Sequence, residues 1–184
     1  MRILKLAVLA LILMTSGISS ANAQRFAYVD TEYILQHIPE YLSAQKQLDD
    51  LSVTWQEEID NRFTEIENLY QAYQREQVLL SEEMRKQRED EIIQKELETK
   101  EYQRLKFGYE GDLFQEKIRL IQPIQERVAR AIREIATEQA LDLILDKGGE
   151  IVFLYANPRL DRSDEVITKL GYQPDPSIGQ NRNN

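Results

Sequence analysis

Side chains able to do chemistry are few and scattered in this chain. It holds one histidine, His37, and no cysteine among 184 residues. A lone histidine rules out a His-based metal cluster, and the lack of Cys rules out disulfides, thiolate metal sites and thiol nucleophiles. His37 stands at the start of the first helix, where it reads as a structural or solvated residue rather than a general acid or base. Carboxylates are plentiful, but the runs Glu82-Glu83 and Glu89-Asp90-Glu91 have the pattern of a solvated helix face. Gly148-Gly149 lacks the surroundings of a phosphate-binding loop. No catalytic, metal-ligating or cofactor-binding residue is assigned, no cofactor is expected, and the chain does not read as an enzyme.

The remaining chemistry is adhesion. Phe63, Tyr70, Ile93, Leu97, Phe107 and Phe114 are apolar or aromatic residues lying off the main hydrophobic stripes of their helices. An unfolded polypeptide offers apolar side chains and is held by many weak, adaptable contacts, so these six are candidates to touch one. The competing role for each is packing within the helices or against a neighbouring copy, and it weighs most for Phe107 and Phe114.

The elements that must carry these residues are two long helices. From Glu40 to Ala140 there is one proline, Pro123, and two glycines, Gly108 and Gly111, while Glu, Gln, Lys and Arg dominate. Strand-like segments flank this stretch: Phe26 to Val29 before it, then Leu141 to Leu145 and Ile151 to Ala156 after it. A strand whose partners lie over a hundred residues downstream requires the helical segment to travel out and return. On the outgoing arm Leu48, Leu51, Trp55, Ile59, Ile66, Leu69 and Tyr73 fall within about 40° of one line at 100° per residue, interrupted by Arg62. That is narrow enough for a coiled-coil seam. The return helix has a stripe of its own, from Met84 and Ile92 through Tyr102, Leu105, Tyr109 and Leu113 to Leu120, Ile124, Val128, Ala131 and Ile135, expected to run unbroken from tip to head. The reversal is expected over Gln77 to Ser81, with Ser81 as an N-cap ahead of Glu82 and Glu83. An outgoing arm of about 38 residues spans roughly 57 Å.

Three positions in the return helix are hinge candidates. Pro123 removes a backbone hydrogen bond and crowds the preceding turn, which gives either a kink or hinge where arm meets head, or a plain helix break. Gly108 and Gly111 each weaken the helix by roughly 1 kcal/mol relative to Ala.

The first 23 residues read as a targeting segment. Arg2 and Lys5 precede the apolar run Leu6 to Leu13, and Ala21-Asn22-Ala23 offers small residues for cleavage after Ala23. The apolar run is shorter than the roughly 20 residues that a membrane-spanning helix needs. Losing Arg2 and Lys5 changes the net charge of −9 to −11. An acidic chain is a poor partner for nucleic acid, whose phosphates require clustered Lys and Arg. Between Glu40 and Glu67 eight acidic residues face only Lys46 and Arg62, whereas the returning arm is more basic. That asymmetry favours antiparallel pairing, weakly per pair.

Asp146 to Glu150 between the two later strands reads as a β-hairpin turn. Ser163 reads as the N-cap of a short helix from Asp164 to Leu170 ended by Gly171, and the tail beyond Tyr172 has nothing to bury and is expected to be disordered. Three short strands and one short helix form a weak core, so self-association through the head is expected. The fold class is α+β, mainly α: a long antiparallel α-hairpin projecting from a small β-containing head. Its domains are a signal peptide over 1–23, head over 24–39, arm over 40–138 with its tip near 77–82, head again over 139–171, and a tail over 172–184.

Phe26-Ala27-Tyr28-Val29-Asp30 leading into Tyr33-Ile34-Leu35, the charged hairpin, Ala140 to Asp146, Ile151 to Ala156 and Asp164 to Leu170 together resemble the Skp/OmpH family of periplasmic chaperones. The likeness spans the chain from the segment's end to about Gly171. It implies a homotrimer whose heads form a shared β-barrel-like body, with three coiled-coil tentacles around a cavity. It further implies an ATP-independent holdase that keeps unfolded outer-membrane proteins from aggregating in the periplasm. The chain departs from the family in being acidic where tentacles are often basic, and no site for lipopolysaccharide or a membrane surface is assigned. The alternative reading is a cell-envelope structural or adaptor protein that docks one folded partner through its α-hairpin.

Overall fold

The structure is a computed structural model that describes residues 24–149 and 153–178. Strand β1 (Phe26–Val29) leads into a short helix α1 (Thr31–Gln36), and then into the outgoing helix α2 (Pro39–Glu76). The chain reverses over residues 77–81 and returns through α3 (Glu82–Phe107) and α4 (Asp112–Glu138). Strand β2 (Leu143–Asp146), a 3₁₀ turn (Pro158–Leu160) and helix α5 (Ser163–Lys169) complete the head. The signal segment and its cleavage site lie outside the described residues.

Local chemistry sets the boundaries. Asp30 caps α1, its Oδ1 accepting from the Tyr33 N–H at 2.9 Å. Pro39 opens α2 at its first turn, where a missing N–H costs nothing. Ser81 caps α3, accepting from the Met84 N–H at 3.3 Å. α4 and α5 each end in a Schellman motif. The Leu141 N–H reaches the Ala136 carbonyl and the Ala140 N–H that of Thr137, while Tyr172 and Gly171 bond Ile167 and Thr168 in the same way. Gly171 supplies the left-handed residue of the second motif with φ 91°, whereas the first places Ala140 there with φ 49°.

β1 and β2 pair in parallel, Phe26 opposite Leu143 through Val29 opposite Asp146. The helical excursion between them is the long-range crossover that parallel pairing demands. The opposite edge of β1 carries a single bridge from Tyr28 to Asp161. Beneath lies the core: Val29, Ile34, Leu35 and Ile38 from the β1–α1 segment, Ala44 from α2, Ile121 through Ile135 from α4, and Val166 and Ile167 from α5. Buried Ile at several of these positions contributes about 1.5–3 kcal/mol each relative to exposure.

Several expectations are corrected. Among the described residues, Leu143–Asp146 pairs in parallel with β1 and not with a following strand. Asp146 instead accepts from the Thr31 N–H at 3.1 Å, the Thr31 hydroxyl at 2.7 Å and the Gly148 N–H at 2.9 Å, which ties the glycines to the start of α1. Phe153 to Ala156 form no strand, and residues 150–152 lie outside the described residues. Ser163 is the first residue of α5 rather than its cap, and its buried hydroxyl accepts from the Asp30 N–H at 2.8 Å. The tail does not begin at Tyr172. That ring packs on the core, its hydroxyl donates to Glu40 at 2.8 Å, and the Asp175 N–H donates to His37 at 2.8 Å. The last residues, 179–184, lie outside the described set.

The return arm is two helices, not one. α3 stops at Phe107 and α4 starts after Gly111, with Glu110 in the left-handed region at φ 53°. A Cβ on Gly108 would sit 2.3 Å from the Arg104 carbonyl oxygen, so the chain's close return at the break needs a glycine there. Pro123, by contrast, causes no break. α4 runs through it from Asp112 to Glu138, giving up only the bond Pro123 cannot donate.

Candidate interaction surface on the helical arm

α2 and α3 lie side by side in an antiparallel register. Glu65 pairs with Lys95 at 2.8 Å, Tyr102 reaches Glu58 at 2.5 Å, Tyr73 donates to Glu89, and the rings of Trp55 and Phe107 meet edge-to-face at 6.2 Å. α2 supplies its expected stripe to this seam: Ile59 and Ile66 are buried, and Trp55, Leu69 and Tyr73 are half-buried, while Leu48 and Leu51, headward of the Trp55–Phe107 contact, are half-buried too, Leu48 against the head core. α3 answers differently. Its inward row is Ile92, Lys95, Thr99, Tyr102 and Lys106, with only one aliphatic member. Buried Thr99 sits one heptad after Ile92 and returns its hydroxyl to the Lys95 carbonyl at 2.8 Å. Apolar scoring passes over such a residue, although its seven-residue spacing from Ile92 marks it.

Cations take the place of missing aliphatics. The Arg62 guanidinium lies 4.3 Å from the centre of the Tyr102 ring, and Lys106 lies 4.7 Å from Trp55 and 5.3 Å from Tyr102. Lys106 also bridges the Gly108–Gly111 break, pairing with Asp112 at 2.5 Å. The Tyr102 hydroxyl and then Arg62 hold the Glu58 carboxyl below its ordinary range, while burial and Glu58 push the Tyr102 phenol up. The expected continuous stripe fails at this point. Leu105, still inside α3, lies off the inward row and is exposed, and Tyr109, in the break itself, is 94 % exposed. Met84 near the tip is exposed as well.

Of the six contact candidates, Phe63, Tyr70, Ile93 and Leu97 are exposed by 39, 46, 54 and 58 %, and Phe114 is exposed too. Phe107 is not free; it is half-buried against Trp55, as its place beside the seam requires. Phe63 lines a shallow groove with Ile66, Glu67, Glu96 and Lys100, on the flank of the α2–α3 pair. Val53 on the arm, Val78 and Leu79 at the tip, and Leu154 and Tyr155 in the head are further exposed apolar residues off the main stripes. Val78, Leu79, Leu154 and Tyr155 sit outside any helical apolar repeat, whereas Val53 shares the flank of α2 with Phe63 and Tyr70.

His37 belongs to the head's frame. Its Nε2 accepts the Asp175 N–H, so Nδ1 carries the proton and donates to the Tyr33 carbonyl at 2.8 Å. Nearby, the Arg127 guanidinium joins Glu40 at 3.5 Å and the Tyr172 hydroxyl at 3.1 Å, locking the tail to the base of the arm.

The fold is shared with a solved structure, that of a candidate outer membrane chaperone (OmpH-like) from Caulobacter crescentus CB15. The two superpose with a TM-score of 0.64 at 15 % identity, over 84 % of this chain and 88 % of that one. No curated protein matches the sequence. Residues 25–170 match the outer membrane protein (OmpH-like) family, from β1 to the end of α5, and the chain belongs to that family.

Proposed function

We propose that this protein is an exported, ATP-independent holdase that binds unfolded outer-membrane proteins in the periplasm and keeps them from aggregating. It works by binding rather than by catalysis. The observation that carries the reading is the arm itself: two helices joined by a seam that is apolar on α2 and mostly polar on α3, bearing exposed Phe63, Tyr70, Ile93 and Leu97 along its length. Membership of the OmpH-like family supports the same reading. Three such chains, associating through their heads, would surround a cavity with their arms. The outer edge of β2, with Phe26 and Leu143 about half exposed at one end of the β1–β2 pair and Leu154 exposed by 99 %, suits that association. The arm would flex at Gly108 and Gly111, with Pro123 a second point nearer the head. Cleavage after Ala23 would release the chain to the periplasm.

The test is light scattering on size-separated protein, alone and after a urea-denatured outer-membrane β-barrel protein is diluted into it without nucleotide. A mass of three chains that takes up soluble client supports the proposal. A monomer or dimer that leaves the client to precipitate contradicts it and points to an envelope adaptor with one folded partner.

A further inference from the structure

Negative charge is not spread evenly over the helices. α2 carries nine acidic and three basic residues, whereas α3 carries eight and seven and α4 five of each. One flank of α2 concentrates it. Asp49, Val53, Asp60, Phe63, Glu67 and Tyr70 fall on a second four–three repeat beside the seam, alternating acids with exposed apolar side chains. Asp49, Asp60 and Glu67 have no ion-pair partner among the described residues. Gln56 and Gln71 donate to Asp60 and Glu67 at 2.8 Å each, but a neutral amide leaves the charge uncancelled. Across the groove, Glu96 and Lys100 pair with each other at 3.6 Å and add no free positive charge.

A partner lying along this flank would meet apolar side chains and carboxylates in turn. From Asp60 to Glu67 the spacing is roughly 10 Å at 1.5 Å per residue, close to the screening length near 0.1 M salt, so one short segment spans both. We infer that this flank selects, among unfolded segments, those carrying Lys or Arg beside apolar residues, and disfavours acidic ones. The inference rests on the holding function proposed above and adds the charge class of what is held.

The test uses two labelled unstructured peptides of equal length and identical apolar residues, one with Lys and the other with Glu at every charged position. Their binding to the full protein is followed by fluorescence anisotropy in low salt and in high salt. The Lys peptide should bind about tenfold more tightly in low salt, since each exposed pair contributes only a few-fold. High salt should erase most of that advantage. Asp49→Asn, Asp60→Asn and Glu67→Gln together should remove it, with the circular dichroism unchanged, while Phe63→Ser with Tyr70→Ser should weaken both peptides. Equal binding of the two peptides, or a preference that survives the triple variant, overturns the charge selection and leaves the holding function standing. Binding of neither peptide overturns the holding function itself. A change of oligomeric mass in the triple variant would mean that a second copy covers this flank, which also overturns the inference.

Discussion

The base of the arm and its outer half are built from the same pair of directions and opposite chemistry. At the base, α4 turns Ile121, Ile124, Val128, Ala131 and Ile135 inward, against Ile34, Ile38 and Ile167, and each of them is buried. In the outer half, α3 turns Ile92, Lys95, Thr99, Tyr102 and Lys106 toward α2, so ion pairs and rings over cations replace aliphatic packing. Exposed polar pairs contribute little, while buried apolar side chains contribute most of the net stability. The head therefore holds most of the fold, and the arm, where Ile59, Ile66 and Ile92 are the buried apolar residues, adds less of its own. An arm of this kind opens locally long before the head unfolds.

The comparison is broken most directly by deleting side chains in both regions. Ile167→Ala, at a fully buried site, should cost about 2–5 kcal/mol and lower the thermal midpoint of the whole chain. Ile92→Ala, in the seam, should cost about 2 kcal/mol, the low end of that range, since its neighbours in the row, Lys95 and Thr99, are polar. Equal costs in a urea titration would erase the distinction between the regions.

The junction between them comes next. Gly108→Ala places a Cβ 2.3 Å from the Arg104 carbonyl oxygen and should destabilise the break by more than about 1 kcal/mol. The single tryptophan, Trp55, packs on Phe107 beside this break, so its fluorescence should report the change while the head's midpoint holds. On the head side, Ala140→Gly relieves a left-handed alanine and should stabilise by up to about 1 kcal/mol, read as a higher midpoint.

Acid should loosen the tail lock before the core. The Glu40 carboxyl is held below its ordinary range by a backbone N–H first, and then by the Tyr172 hydroxyl, with Arg127 adding to it. A carboxyl depressed on folding contributes fully above its unfolded value, about 4.3, and loses that contribution as pH falls through the lower folded value. The Tyr172 ring resonances should therefore shift toward solvent values below that range. In Tyr172→Phe the loss should be smaller, because one donor to Glu40 is gone. The smallest effect is salt. Raising it should weaken amide protection around Lys95 and Glu65 and leave that around Ile34 and Ile167 unchanged.

Much of the base was legible because it obeys one repeat. Ile124, Val128, Ala131 and Ile135 recur at helical spacing, and their burial follows from it. Phe63, Tyr70, Ile93 and Leu97 were legible as off-stripe residues for the same reason. The rest depended on contacts no repeat encodes. Thr99 and Lys106 in the seam are polar, and Ala140 takes a glycine's conformation without being one. Gly148 and Gly149 suggested a hairpin, but Asp146 binds the start of α1 and parallel pairing with β1 prevails. Ser163 has the residue type of a cap, whereas its hydroxyl serves Asp30 across the head.

The most direct measurement is hydrogen exchange on the protein alone and with an unfolded outer-membrane β-barrel protein diluted from urea. Fast exchange is expected over residues 45–107 in the free protein, slowed on mixing, with protection at Ile34, Val128 and Ile167 unchanged. An arm that exchanges as slowly as the head when free, or is unaffected while the client precipitates, would contradict this reading.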